Sequence, residues 1–486
     1  MDSNLIKISE LETILNNIDN TYKGVLQFFD NFQISKVLVP FDNLKTKGIE
    51  VSSLISLLCL FRIKGLTVWA MQKFGREKLF DVDENTFYRL MNHPGMNWRK
   101  LLMSFTSQFV SISESKGDMH KNEKCFVVDD SDLEKTGSTF EFIGRIFNHV
   151  NHSFILGFKA LVLGYWDGTS LVAADFSLHR EKGSKGNYGI SRKERDAQFK
   201  KKREETACSK QRIKELDQKK TDVAISMIRR AVRNHLKASY VLMDSWFVND
   251  KVIKSIRKIA KGALHVLGMC KMNNTKYKIE GQEWNAHQII MRKERRMKKY
   301  SRKHHSHYIP VVVDYKGTMV KLFFIRYHRA KNWDVILTTN LQLTFTQALE
   351  LYQIRWTIEV LFRECKQYLR LGACQNTDFD GQIADTTLVF ITHTILTLQR
   401  RFEAYETTGE LFREAQQQLL ELTLWQRILK IFMKMLRQLL NIFSIDIDDT
   451  LKRILQNDQI SSQLLAMIEI LKEEKDYDEI MTKRAA

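Results

Sequence analysis

The chain has 486 residues, 44% of them hydrophobic, and its 76 Lys and Arg against 57 Asp and Glu give a net charge of +19 and a pI near 9.5. At roughly 150 residues per domain the length allows about two to four domains, and the excess of positive charge implies a polyanionic partner, most simply nucleic acid. Three prolines exclude long Pro-rich linkers, and the longest apolar run, LISLLCLF at 54–61, is far too short to span a bilayer.

Residues 1–118 read as helical. Leu54, Leu57, Leu58 and Phe61 recur at helical spacing, a second helix is expected over 67–74, and a third starts at Asp83, an N-cap before ENTFYRLM. Three short helices in a row fit a helix-turn-helix-like DNA reader, with Asn85, Thr86, Tyr88 and Arg89 facing DNA, or an ordinary helical bundle. Both readings stay open.

Residues 119–250 read as the first part of an α/β core. KCFVVDD (124–130) is an apolar run ending in Asp129, and ASYVLMDSWF (238–247) is a second run ending in Asp244. Such runs are buried strands, and a carboxylate at the carboxyl end of one sits at the mouth of the sheet, where ligands bind. Asp130 is a rival to Asp129, but strand alternation points the two side chains apart. Between these runs, FILGFKALVLGYW and SLVAADFSLH are joined by Asp167-Gly168, a hairpin signal. The charged stretch 180–235, with KERDAQFKKKREE, reads as a solvated helix of mixed charge more readily than as a phosphate track. His149, His152 and His179 read as structural.

Residues 251–345 carry the strands VVVDYKG, MVKLFFIRY and WDVILTTN. Within them, RKERRMKKYSRKHH (292–305) is the most basic segment of the chain. Arg292, Lys293, Arg295, Arg296, Lys298 and Lys299 are expected to contact the DNA backbone, because phosphate binding is mainly neutralisation by Lys and Arg.

In residues 346–390, TQALELYQIRWTIEVLFRECKQYLRLG reads as one helix. Tyr352, Arg355, Glu359 and Lys366 lie at offsets of 0, 3, 7 and 14. At about 100° per residue they fall within an arc of roughly 60°. Leu351, Ile354, Ile358, Leu361 and Phe362 supply the apolar side, and Trp356 reads as packing. Two strand-end aspartates plus one helical glutamate are the oxygen donors that a pair of Mg²⁺ ions needs near a phosphodiester. Residues 391–486 read as all-helical.

Other chemistries lack their signatures. The six cysteines form no CxxC pair and no zinc-spaced Cys/His cluster, and their scatter suits a reducing cytoplasm. No Walker-type loop and no Gly-x-Ser-x-Gly elbow occurs, and MDSNLIKISELETIL lacks a secretory signal pattern.

Y-x2-R-x3-E-x6-K resembles the signature of the DDE transposases of bacterial insertion sequences, in the group that includes the transposon-five enzyme. VVDDSDLEKTG resembles that group's first-aspartate motif, with Ser131 where threonine is common, and VLMDSWF its second. The resemblance covers roughly residues 120–390. It implies a ribonuclease-H-like catalytic core, 119–250 and 346–390, interrupted by a β-rich insertion at 251–345, with a helical DNA-binding region at 1–118 and a helical region at 391–486. Asp129, Asp244 and Glu359 become the catalytic and metal-binding residues, for Mg²⁺ with Mn²⁺ able to substitute. Tyr352, Arg355 and Lys366 hold terminal phosphates. Trp333 matches, to within a small gap, the group's base-stacking tryptophan, with Trp284 as competitor and a core position as the alternative. The implied activity is cut-and-paste transposition through a hairpin at the transposon end. The partners are double-stranded end and target DNA and a second protomer in the synaptic complex, with no membrane, in a bacterial cytoplasm at the nucleoid. A ribonuclease-H-like nuclease that does not join strands and a non-catalytic DNA-binding relative remain as alternatives.

Overall fold

In a computed structural model of the chain, which describes residues 29, 31–45, 47–63, 65, 67–68, 83–115, 123–328 and 330–402, the run ending at Asp129 is the organising strand. This is β1 (Cys125–Glu134), whose first four residues are buried. After β2 (Gly144–Asn148), β3 (Ser153–Trp166) runs antiparallel to β1 along its whole length, from Cys125↔Trp166 to Glu134↔Gly157. β4 (Leu171–His179) returns along β3, and the Asp167 side chain closes the turn by accepting from the Thr169 and Ser170 N–H groups. On its other side β1 pairs in parallel with β5 (Tyr240–Met243), which pairs in parallel with β6 (His265–Cys270). These five strands lie in the order β4-β3-β1-β5-β6.

The same sheet then continues. After β7 (Tyr277–Ile279), β8 (Gln282–Trp284) and β9 (Lys299–Ser301) come β10 (Ser306–Asp314), β11 (Met319–Tyr327) and β12 (Asp334–Thr338). β12 pairs antiparallel with β6, and β11 and β10 follow outward. The three strands read from sequence at 306–338 therefore form, and they extend the sheet rather than building a separate one. The fold is mixed α/β with mostly antiparallel pairings.

Every residue of β4 is buried, so both of its faces are covered. The cover comes from α3 (Trp98–Ser115) and from α10 (Phe379–Phe402), with α4 (Cys208–Glu215) and α5 (Lys220–Arg233) also packed on β4. Asp175, inside β4 and fully buried, is held by Arg99 of α3 at 3.0 Å and Arg230 of α5 at 2.7 Å. Arg99 also pairs with Glu215 of α4 at 2.6 Å, so one buried ionic cluster ties three helices to the strand.

The amino-terminal part contains α1 (Val51–Ile63) and α2 (Glu84–Met91). Asp83 caps α2 as the sequence predicts, its side chain accepting from Asn85 N at 2.7 Å. α2 buries Phe87 and Met91 and packs on α1 and α10. The helix expected over 67–74 falls almost wholly outside the described residues, as does everything expected after α10.

One expectation is overturned within 180–235. Lys201 and Arg203 are not on a solvated helix but in an ionic cluster. Arg203, with a side chain only 2% exposed, meets Glu141 at 2.5 Å, Asp378 at 3.1 Å and Asp380 at 3.0 Å. Lys201 meets the same two aspartates at 2.7 and 3.0 Å. Burial of a charge demands paired partners, and here they come from segments distant in sequence, which local charge patterning does not reveal. Among the described residues no helix is long and apolar enough to cross a membrane.

Candidate active site

The parallel ladder of β1 and β5 ends with the pair Val128↔Met243. Asp129 and Asp244 are the next residues on each strand, so they stand beside each other on one face where β5 stops and its chain turns away. The turn is fixed locally. Asp244 Oδ1 accepts from Trp246 N at 2.9 Å, Phe247 N donates to Asp244 O at 3.2 Å, and Asn249 then caps α6 (Asp250–Arg257). Gly268 of β6 faces this turn: a Cβ there would lie 2.5 Å from a Val248 methyl and 2.9 Å from the Met243 carbonyl oxygen.

Asp129 is mostly buried, and burial is the main cause that pushes its carboxyl up to about 7, with the neighbouring charges of Asp244 and Asp130 adding and Arg355 opposing. Asp130 turns the other way and takes an ion pair from Lys220, at the start of α5. The alternation that separates Asp129 from Asp130 is thus visible in their partners.

The helix signature brings the third carboxylate. Arg355 Nη1 donates to Asp129 Oδ2 at 3.0 Å and Nη2 donates to Glu359 Oε1 at 2.8 Å, so one guanidinium bridges the two acids. Its Nε is buried and carries no hydrogen bond. Tyr352 is buried beside it, and burial pushes the phenol up to about 12 against the lowering effect of Arg355.

The expected single helix is broken into α8 (Phe345–Gln353), α9 (Trp356–Gln367) and a tight junction between them. Across the junction Ile354, Arg355, Thr357 and Ile358 donate to the carbonyls three residues back, the pattern of a 3₁₀ turn. Tightening from 3.6 to 3 residues per turn shifts the phase of all that follows. In consequence Tyr352 and Arg355 point inward, Glu359 is half-buried, and Lys366 is exposed, so the four do not form one outward stripe. Leu351 and Ile354, read as packing residues, are only half-buried. Trp356, also read as packing, is 57% exposed, with the Arg355 guanidinium 5.1 Å from its ring. Burial of the stem lowers the pKa of Lys366, and the charge of Asp132 opposes that.

The other expected contacts lie on the outer part of the sheet. The basic segment is not a loop: Arg292, Lys293, Arg295 and Arg296 belong to α7 (Ala286–Met297), started by an Asn285–Gln288 capping box, while Lys298 caps it and Lys299 begins β9. Arg292, Arg295, Arg296, Lys298 and Lys299 are exposed and Lys293 is half-buried. Arg292 lies 3.5 Å over the Trp284 ring and Lys298 pairs with Glu294 at 3.3 Å. Trp333 is half-buried just before β12, with Arg326 4.6 Å over its ring.

Sequence reasoning passed over three residues near the acids. Trp246 had a signal, an indole two positions from Asp244. Lys220 had none, because its partner Asp130 is far away in sequence. Gly268 had none because its reason is the backbone of a neighbouring strand.

Asp129, Asp244 and Glu359 are hard oxygen donors of the kind a divalent cation takes. Among the described residues, however, no three His, Cys, Asp or Glu side chains are gathered closely enough to hold one ion. Asp129 and Glu359 are each engaged by Arg355, so a cation shared by the acids requires Arg355 to release one of them.

Residues 207–395 match the family model for the transposase DDE domain. The match takes in Asp244, Tyr352, Arg355, Glu359 and Lys366, and Asp129 lies upstream of it. It bears out the resemblance read from the motifs. No curated protein matches the chain.

Proposed function

We propose that this chain, a DDE transposase matched by the transposase DDE-domain model over residues 207–395, excises DNA at transposon ends and joins the freed ends to target DNA. The observation that carries this is the placement of Asp129 and Asp244 at neighbouring positions on parallel strands, with Glu359 tied to Asp129 through Arg355. The order β4-β3-β1-β5-β6, with β1, β5 and β6 parallel and β3 antiparallel, supports a ribonuclease-H-like core; β6 lies within the β-rich insertion expected at 251–345 yet pairs with the core strand β5, so the inserted strands begin after it.

Asp129, Asp244 and Glu359 would hold Mg²⁺, or Mn²⁺ in its place, which supplies positive charge to the attacking and leaving oxygens of a phosphodiester. The residues then divide the remaining work. Burial of Asp129 excludes water from one side of the site. The Asp244 carboxylate is kept in one orientation by the Trp246 N–H. On release from a carboxylate, Arg355 offers two parallel N–H groups to a phosphate, the bidentate geometry that a lysine lacks. Exposed Lys366 adds a point charge, and the α7 cations neutralise the flanking backbone.

In the first step a water oxygen bonds to phosphorus, the bond to the 3′ oxygen breaks, and that oxygen gains a proton. In the second the 3′ hydroxyl attacks another phosphodiester, on the opposite strand to form a hairpin and, after reopening by water, on target DNA. One P–O bond forms for each that breaks, so no nucleotide hydrolysis is needed. Two ends cut in concert call for two protomers, and the work would take place at the bacterial nucleoid.

The test is incubation of purified protein with labelled DNA bearing its element's end, with Mg²⁺ or Mn²⁺, beside Glu359→Gln. Hairpins and joined products that need the metal and vanish in the variant are the expected result. Nicks without joining would reduce the protein to a nuclease, and end binding without cutting would remove the catalytic assignment.

A further inference from the structure

The face of the sheet turned away from Asp129 carries an unbalanced charge. Residues 223–243 and 251–279 contain twelve Lys and Arg and no Asp or Glu, in a chain whose net charge is +19. The acids of the charged stretch 180–235 all precede residue 223. The two segments hold most of α5 and all but the first residue of α6, and these helices pack against each other. Both start near the acids: Lys220 of α5 pairs with Asp130, and Lys251 of α6 pairs with Asp222 at 2.6 Å. Both then run away from them, α5 for roughly 20 Å at about 1.5 Å per residue. Arg229, Arg233, Lys237, Lys254, Lys258 and Lys261 are exposed, and among the described residues none of them forms an ion pair. Elsewhere exposed lysines have carboxylate partners, as Lys298 has Glu294 and Lys316 has Asp250. A solvated face mixes both signs. The helix dipole favours cations in each last turn, but Arg229–Arg233 and Lys254–Lys258 stand four apart, where like charges repel. No exposed large apolar side chain lies in either segment.

We infer that the far end of α5 and α6 is a second surface for duplex DNA, which holds by its phosphates a stretch other than the one at the acids. This rests on the transposase reading. A polyanion relieves the repulsion within the patch, and phosphate binding is mainly neutralisation by Lys and Arg. Unpaired strands are held by aromatic side chains that stack on bases, and a membrane surface by apolar residues set among the cations. The patch exposes neither. It offers charge alone, which suits the regular phosphates of a duplex whatever its sequence. Asp130 points away from Asp129 and meets α5, so a straight duplex lying on the acids does not reach this face.

The experiment uses the full chain and a quadruple variant, Arg233→Gln, Lys254→Gln, Lys258→Gln and Lys261→Gln, with binding followed in EDTA by fluorescence anisotropy. A short end duplex is bound first. A labelled unrelated duplex is then added or, in a second arm, the end duplex is lengthened into the transposon. Wild type is expected to take up the unrelated duplex, or to bind the lengthened end more tightly than the short one. The variant loses that gain, and its slope of log K against log salt in that arm is shallower by roughly 3–4. Its affinity for the short end, its rate of cutting that end in Mg²⁺ and its melting temperature stay at wild type. A gain from the separate duplex makes the occupant target DNA, and a gain from the lengthened one makes it the continuation of the transposon end. No gain in wild type, or the same gain in the variant, would overturn the inference. So would a loss in equal proportion for the short end and the added duplex, because the cations would then act only through the field of the whole molecule. A wild type that neither selects nor cuts the end would overturn the transposase reading, while a loss of unrelated duplex confined to the variant would still uphold the surface.

Discussion

Asp129 and Asp244 occupy matching positions one residue past Val128↔Met243, the last pair of the β1–β5 ladder, and this adjacency puts two carboxylates on one face of the sheet. Burial, with Asp244 and Asp130 adding, raises the Asp129 carboxyl from 3.8 to about 7. The folded chain therefore holds a proton that the unfolded chain has released between those values. The stability this contributes is fully present below about pH 4 and is lost as pH rises through about 7. Asp129→Asn stays neutral throughout. In metal-free buffer the melting temperature of the variant should gain on that of wild type as pH goes from about 4.5 to 8. A difference that stays constant over this range would mean that Asp129 is ionised throughout.

Arg355 forks between Asp129 and Glu359. Arg355→Ala leaves Asp129 buried without its cation and removes the guanidinium that spaces the two acids. A hydrogen bond to a charged group contributes about 1.5–3 kcal/mol, so single-turnover cutting of the DNA end should slow roughly 10- to 100-fold. Arg355→Lys should do little better, because one ammonium cannot present a planar fork. A lysine variant cutting at the wild-type rate would show that charge alone suffices.

How much of this was legible in the sequence follows from the range of the interaction involved. Asp129 and Asp244 could be read because a buried strand that stops at a polar residue is a local pattern. Asp83 as a cap and the Asp167-Gly168 turn are local as well. The break at Ile354–Arg355 was not legible: apolar spacing continues through it, and only the inward pull of Arg355 toward Asp129, more than two hundred residues upstream, distinguishes it from an unbroken helix. The exposure of Trp356 follows from that break. Lys201 and Arg203 looked solvated because Glu141, Asp378 and Asp380 come from distant segments. The pairing of β6 with both β5 and β12, which joins the outer strands to the core sheet, is likewise a long-range choice that no single strand announces.

The α7 cations provide a prediction about salt. Arg295 and Arg296 are exposed near the end of the helix. If they neutralise phosphates, Arg295→Gln with Arg296→Gln should weaken binding to all DNA sequences alike. The dependence of log K on log salt should become shallower by about 1–2, since each neutralised phosphate contributes about 0.9 to the slope. Titrations of end DNA and unrelated DNA over several salt concentrations measure this. An unchanged slope would place the backbone contacts elsewhere, and a loss confined to end DNA would make these residues base readers.

Gly268 provides the sharpest test of how the sheet positions Asp244. It pairs with Met243 across β5 and β6, and its lack of a side chain leaves room for the Met243 carbonyl and Val248 on either side of the turn. In Gly268→Ala the new methyl, 2.9 Å from that carbonyl oxygen and 2.5 Å from a Val248 methyl, forces the turn outward and Asp244 with it. Overpacking of this kind costs about 1–3 kcal/mol of stability, while a displacement of about 1 Å at a reacting centre costs roughly 100-fold in rate. The cutting rate should therefore fall far more than the modest drop in melting temperature suggests. Gly164→Ala is the comparison: its methyl would press first on the Leu171 side chain, at 3.0 Å, and not on the β5–β6 turn. It should lose stability without a matching loss of rate. Equal rates for the two alanine variants would show that the position of Asp244 does not depend on the close approach of β5 and β6.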